Sequence, residues 1–147
     1  MNKIPTYIVI LSTAILLFGG LAIFSLFSEA ADENTLQEIS EAPLALFLGV
    51  GIPIYILEAL CFTVITIELS AKFARSTWLG AILGILAYGV LYHWSNGAFS
   101  ILISSWIVLV LNSSYIILRK RSRKIGIAST IAHKLAFFFF AVYSIYM

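Results

Sequence analysis

Three side chains in this sequence combine the chemistry of water activation with a position in or beside hydrophobic segments. Glu58 is the one charged residue in the apolar run 43–67, and His93 and His133 follow it at intervals of thirty-five and forty residues. A carboxylate can act as general base toward water, and imidazoles can orient that water and donate hydrogen bonds to an oxyanion. An ionisable group within a bilayer costs at least about 2.5 kcal/mol, so it usually has a partner, a hydrated cavity or a function. We therefore take Glu58, His93 and His133 as candidate catalytic residues.

The composition is that of an integral membrane protein. Of the 147 residues, 61% are hydrophobic and 11% are charged, well outside the range of soluble globular proteins. Five continuous hydrophobic segments cover 7–27, 43–67, 77–92, 98–118 and 125–147. Continuous apolar runs favour helices over the alternating strands of a barrel. We expect an all-α, polytopic membrane protein with about five transmembrane helices and one domain, 1–147.

The placement of charge predicts the orientation of the chain. Every Lys and Arg except Lys134 lies on one side of a five-span arrangement, and the acidic residues of the loop 29–41 lie on the other. The positive-inside rule then places the N-terminus in the cytoplasm, in a multi-pass protein of the inner (cytoplasmic) membrane. Residues 1–43 are expected to form a signal anchor and an acidic external loop, and residues 44–147 a four-helix core. The basic run 119–124 indicates contact with the lipid bilayer rather than with nucleic acid.

Several local patterns carry further expectations. The sequence 35–38 fits a capping box and predicts a short surface helix. Gly49, Gly51 and Pro53 predict a kink or local unwinding near Glu58. The GxxxG pair at 80–84 indicates either close packing within the bundle or a dimer interface. The lone cysteine, Cys61, excludes a disulfide within the chain, and we expect no cofactor and no bound metal.

Polar residues near the last helices suggest additional contacts. Glu68 and Lys72 have the i,i+4 spacing of an exposed helix ion pair. The polar side chains of the fourth helix are expected to form hydrogen bonds between helices, namely Ser104, Ser105, Asn112, Ser113 and Ser114.

The segments that carry the three candidate residues resemble a known family. Glu58 begins EALCFT, His93 ends GVLYH and His133 begins HKLAF. In order and context these segments resemble the EExxxR, FxxxH and HxxxN/D motifs of the CPBP family of intramembrane proteases. That family includes the type II CAAX prenyl endopeptidases and bacteriocin-processing or immunity proteins. The resemblance covers about residues 53–143, two thirds of the chain.

The resemblance implies an activity and roles for these residues. Glu58 would activate water, and His93 and His133 would position it and stabilise the tetrahedral intermediate formed at a peptide bond near the membrane. The sequence departs from the motifs at four positions, Ala59, Thr63, Gly89 and Phe137. Two functions follow: a glutamate-dependent intramembrane endopeptidase acting on a peptide substrate, or a non-catalytic accessory or regulatory subunit with membrane-protein partners.

Each candidate residue also has a purely structural interpretation. Glu58 can pair with Lys134 or with serines of the fourth helix. His93, next to Trp94, fits the membrane interface, and His133 fits a hydrogen bond between packed helices. Counting residues along the helices places Glu58 and His133 at a similar depth of about 12–15 Å and His93 near 25 Å. We therefore expect Glu58 and His133 to meet more readily than Glu58 and His93.

Overall fold

The regular structure is entirely helical in the part of the chain that the computed structural model describes, residues 4–25 and 43–146. The five helices are α1 (Thr6–Ser25), α2 (Leu44–Phe73), α3 (Thr77–Tyr92), α4 (Gly97–Arg119) and α5 (Arg123–Tyr146). A short 3₁₀ turn, Trp94–Asn96, joins α3 to α4. Four helices are long and apolar enough to cross a membrane, and α3 is shorter. The expected all-helical fold is confirmed in the described residues, with four candidate membrane-spanning helices where about five were expected; the surface helix expected at 35–38 lies outside the described residues.

Helix α4 forms the centre of the bundle and packs against α1, α3 and α5. Its inward side chains are buried, with Tyr115 and Leu118 fully so. Asn112 donates from Nδ2 to the Ala81 carbonyl of α3 at 2.9 Å. In a bilayer such hydrogen bonds between helices supply directional attraction that apolar contact with lipid cannot.

The polar residues of α4 divide between neighbouring helices and their own backbone. Ser114 Oγ accepts a hydrogen bond from Thr13 Oγ1 of α1 at 2.9 Å. Ser113 instead donates to the Leu109 carbonyl one turn earlier in its own helix. The expected hydrogen bonds between helices are therefore present for Asn112 and Ser114 but not for Ser113.

Two helices contain π-helical stretches, Leu60–Ile65 in α2 and Ile85–Tyr92 in α3. The unwinding expected near Gly49 and Pro53 is absent, because α-helical geometry runs unbroken over Leu44–Ala59. A proline removes only one backbone hydrogen bond, and a membrane helix tolerates that loss without breaking. The departure from α geometry lies directly after Glu58 instead.

The glycines of the GxxxG pair face α2 inside the bundle. A Cβ atom added to Gly80 would lie 2.5 Å from the Ile67 Cα, and one added to Gly84 would overlap the Phe62 carbonyl oxygen. The absence of side chains therefore lets the backbones of α2 and α3 approach closely, as the first interpretation of this motif predicts.

The prediction that Glu68 pairs with Lys72 is wrong. Glu68 accepts hydrogen bonds from Arg119 Nε at 2.8 Å and Nη2 at 3.1 Å, and from the Tyr115 hydroxyl at 2.7 Å. Arg123 lies 3.5 Å from its second oxygen. Glu68 faces α4, where a bidentate guanidinium binds a carboxylate better than a solvated ammonium does. This contact joins the end of α2 to the α4–α5 turn.

Candidate functional site

Glu58 lies in a buried polar cluster with Tyr88 and Lys134. Lys134 Nζ is 3.0 Å from Glu58 Oε2, and the Tyr88 hydroxyl donates to the same oxygen at 3.0 Å. Lys134 Nζ also donates to the Tyr88 hydroxyl at 2.7 Å. The three residues come from α5, α2 and α3, so one closed triangle of contacts ties these helices together. We call these three residues the Glu58 cluster.

Aromatic rings enclose the ammonium of the Glu58 cluster. Lys134 Nζ lies 4.2 Å from the centre of the Tyr88 ring and 5.2 Å from that of Tyr55. The Lys134 side chain is 3% exposed and that of Glu58 is 11% exposed. A cation over an aromatic face is stabilised most when it is desolvated, as it is here. The ion pair is therefore built into the interior of the bundle.

The two π-helical stretches lie next to the Glu58 cluster. Glu58 stands two residues before the first stretch, and Tyr88 lies within the second. Short π-helical stretches in α-helices are frequent at functional sites, because they alter the direction of side chains along the helix. The two π-helical stretches therefore favour a functional role for the Glu58 cluster, but they do not indicate which reaction or ligand it would serve.

His93 lies beside the Glu58 cluster. Its ring is 4.9 Å from the Tyr88 ring in an edge-on arrangement. Its Nδ1 is 3.2 Å from Asn96 Nδ2 and 3.3 Å from Ser100 Oγ. Its Nε2 is buried and has no hydrogen-bond partner among the described residues.

The expected difference in depth between Glu58 and His93 is not found, and the reason is the length of α2. The hydrophobic run suggested a helix end at residue 67, but α2 continues to Phe73. Glu58 is thus fifteen residues, or about 22 Å, from that end, and His93 is sixteen residues, or about 24 Å, from the start of α3. The two residues therefore lie at matching heights.

His133 faces a different helix from Glu58. Its Nδ1 is 2.7 Å from the Ser129 carbonyl oxygen, and its Nε2 is 3.1 Å from the Ile10 carbonyl oxygen of α1. The ring is 6% exposed and attaches α5 to α1. Lys134, the next residue, faces the other way into the Glu58 cluster. The expected meeting of Glu58 and His133 is not found, whereas His93 lies against Tyr88 of the Glu58 cluster.

Lys134 and Tyr88 belong to the site but were not among the candidate catalytic residues predicted from the sequence. The sequence contained a signal for Lys134, since it is the one basic residue placed within a hydrophobic segment. Its pairing with Glu58 was one of the structural alternatives. Tyr88 carried no comparable signal, because a tyrosine in an apolar segment is common in a membrane helix.

Among the described residues, no three His, Cys, Asp or Glu side chains form a group suited to a metal ion. Both contacts to Glu58 are made by Oε2. This oxygen of the carboxylate is therefore already paired within the protein. No protein-family model, curated protein or solved structure matches this chain.

Proposed function

We propose that this protein is a non-catalytic accessory or regulatory subunit of a larger membrane complex, with a CPBP-like core in which the Glu58 cluster holds the helices together. The observation that carries the proposal is the Lys134 ammonium, 3.0 Å from Glu58 Oε2 and almost fully buried. A cation built into the site in this way pairs with one oxygen of the carboxylate that hydrolysis would need.

The contacts of Glu58 argue against a role as general base. A general base must lie within hydrogen-bond reach of the water it activates. Oε2 of Glu58 already accepts from Tyr88 and pairs with Lys134. His133, which would help hold that water in the resemblance, is bound to α1. The three groups of the proposed hydrolytic site are thus not assembled around one point.

The energetics favour a structural role for the same contacts. Removing one partner of a buried ion pair typically costs about 3–5 kcal/mol, because the other charge remains buried and uncompensated. Within a bilayer this cost cannot be relieved by water. The pair of Glu58 and Lys134, with Tyr88 between them, therefore favours the arrangement in which α2, α3 and α5 are assembled.

The ends of the helices support five crossings and a cytoplasmic N-terminus as part of the proposal. Arg121 donates to Thr6 Oγ1 at 2.8 Å, and Arg119 binds Glu68. These contacts bring the start of α1, the end of α2 and the α4–α5 turn to one end of the bundle. Helix α3 must then lead from that end to the start of α4 at the other. The basic residues at the shared end would face the cytoplasm of an inner membrane.

Helix α2 offers a surface for a partner helix. In its most apolar stretch only 6% of the residues are buried within the protein, against 56% in the corresponding stretch of α4. Val50 is 52% exposed, and a Cβ atom added to Gly49 would meet nothing within 4 Å. Small residues on a membrane helix permit close approach of another helix. A partner subunit would pack on this face.

A glutamate-dependent endopeptidase is the second candidate, and His93 is the observation that favours it. Its buried Nε2 lies beside the Glu58 cluster without a partner among the described residues. In the tautomer that carries the proton there, this nitrogen would donate to the oxyanion of a peptide substrate. This function requires Lys134 to leave Glu58 when substrate binds.

The two candidates respond differently to Glu58→Gln and to the double variant Glu58→Leu/Lys134→Met. For an accessory subunit, Glu58→Gln destabilises the protein. The double variant, which removes both charges, recovers the stability and still migrates with the partner complex in native gels of solubilised membranes. A photo-reactive residue at position 50 should crosslink to that partner, while the same residue at position 102, on the exposed part of α4, should not.

An endopeptidase is distinguished by its activity, because Glu58→Gln breaks the same buried pair under either function. The native protein would cleave fluorogenic peptides in proteoliposomes, and neither Glu58→Gln nor the double variant would do so. Cleavage by the native protein that disappears in both variants would refute the accessory role. Migration of the native protein alone in native gels, with no crosslink from position 50, would also refute it.

A further inference from the structure

A groove between α1 and α4 lies on the face of the bundle away from the Glu58 cluster. It has a volume of about 450 Å³, within the range of small-molecule binding clefts. Apolar side chains form most of its lining, among them Ile8, Leu16, Leu109 and Ile117. Each of these four is at least 40% exposed, so the groove is open along its length.

The groove has the length of one membrane leaflet. It extends from Ile4 at the basic end of the bundle to Leu16 and Trp106. Leu16 is ten residues along α1 from Thr6, a distance of about 15 Å. That is half of the roughly 30 Å hydrocarbon core of a bilayer. Trp106 closes the inner end, where its Nε1 donates to the Leu16 carbonyl at 3.2 Å.

A basic side chain contacts the start of α1, near the Ile4 end of this groove. Arg121 donates from Nη1 to Thr6 Oγ1 at 2.8 Å, which holds the guanidinium against the start of α1. One hydrogen bond uses one of its five N–H donors. A planar guanidinium with free donors binds a phosphate in a bidentate manner, which an ammonium cannot do. Lys120 adds a second, exposed cation next to it.

We propose that the groove between α1 and α4 is a binding site for one anionic phospholipid, with an acyl chain along the groove and its phosphate on Arg121. The apolar lining suits an acyl chain, and the groove is as long as the part of one leaflet that such a chain occupies. The positive charge of Arg121 suits the anionic headgroup. The site is independent of the accessory role proposed above, since it shares no residue with the Glu58 cluster.

Trp106 permits a direct measurement. In a Trp78→Phe/Trp94→Phe background it is the sole tryptophan. The protein is reconstituted in bilayers of equal parts phosphatidylglycerol and phosphatidylcholine, with bromine on the distal half of the acyl chains of one lipid or the other. We expect brominated phosphatidylglycerol to quench Trp106 more, with about a fivefold preference, the contribution of one basic residue at an anionic surface.

Two pairs of variants locate the headgroup and the chain. Arg121→Gln keeps a donor for Thr6 but removes the charge, and should abolish the preference. Lys72→Gln removes a charge elsewhere at the same end and should leave it unchanged. Ser113→Phe fills the groove and should reduce quenching by phosphatidylglycerol to that by phosphatidylcholine, whereas Leu102→Phe adds the same ring to an exposed site and should not.

Three results would overturn the proposal. Equal quenching by both brominated lipids in the native background would exclude selective binding. A preference that survives Arg121→Gln would exclude the phosphate contact. A preference that survives Ser113→Phe would place the acyl chain outside the groove, even if Arg121→Gln could not be purified.

Discussion

Lys134 and Glu58 form an ion pair inside the described bundle, with Nζ 3.0 Å from Oε2. Apart from the contacts at the basic end, it is the shortest contact between charged side chains in the described bundle. The residue before Lys134 is His133, whose ring binds the backbone of α1 instead. Successive residues of an α-helix point about 100° apart, so one face of α5 meets α1 and the next meets α2 and α3. This register places an ammonium, rather than an imidazole, on Glu58, the one carboxylate in the apolar interior of the described residues.

Breaking the pair should be far more damaging than removing it. We expect Lys134→Met to lower the free energy of unfolding by about 3–5 kcal/mol, because Glu58 would remain buried without its cation. Glu58→Leu/Lys134→Met should lose less than half as much. Unfolding in mixed micelles with increasing denaturing detergent measures both. A double variant as unstable as the single one would contradict the structural role of the pair.

The contact between Glu68 and Arg119 should contribute to stability in the same assay. Arg119→Gln loses a bidentate, charge-assisted hydrogen bond to a carboxylate that is 17% exposed, and should cost about 1–3 kcal/mol. Lys72→Gln is the matched control, with an expected change within about 0.5 kcal/mol. Equal effects of the two substitutions would restore the pairing of Glu68 with Lys72.

Gly80 should be intolerant of even one added methyl group. Its Cβ would lie 2.5 Å from the Ile67 Cα, so Gly80→Ala should separate α2 from α3 and cost about 1–3 kcal/mol. Gly49→Ala, with open space around the added atom, should be neutral or should stabilise the helix by up to about 1 kcal/mol. Thermal unfolding of the two variants side by side gives the comparison, and a stable Gly80→Ala protein would show that α3 is less closely packed than described.

His133 should act on stability through its hydrogen bond to α1. His133→Leu removes the ring contacts with the Ser129 carbonyl at 2.7 Å and the Ile10 carbonyl at 3.1 Å and should cost about 0.5–1.5 kcal/mol. His133→Gln retains a donor and should recover part of that loss. The unfolding assay detects the difference. A fully stable His133→Leu variant that loses peptide cleavage would instead support a catalytic role for this residue.

Part of the site could be predicted from the sequence, but the full set of residues that form it could not. Glu58 and Lys134 stand out because charges are rare in hydrophobic segments, and their pairing could be considered from type alone. The depth of Glu58 was misjudged because α2 continues six residues beyond its hydrophobic run, through Glu68 and Lys72 to Phe73. Charged residues near a helix end do not terminate it, so hydropathy does not locate that end.

The sequence by itself determined the class of the protein and the two ends of its bundle. Hydrophobic segments of this length must become helices in a bilayer, where every backbone group needs a partner within its own segment. Only the tertiary structure decided which polar side chains meet. That choice depends on the rotation of each helix about its axis and on the π-helical stretches after Glu58 and around Tyr88. These features arise from packing between residues distant in the chain, such as Gly80 against Ile67, and no local pattern records them.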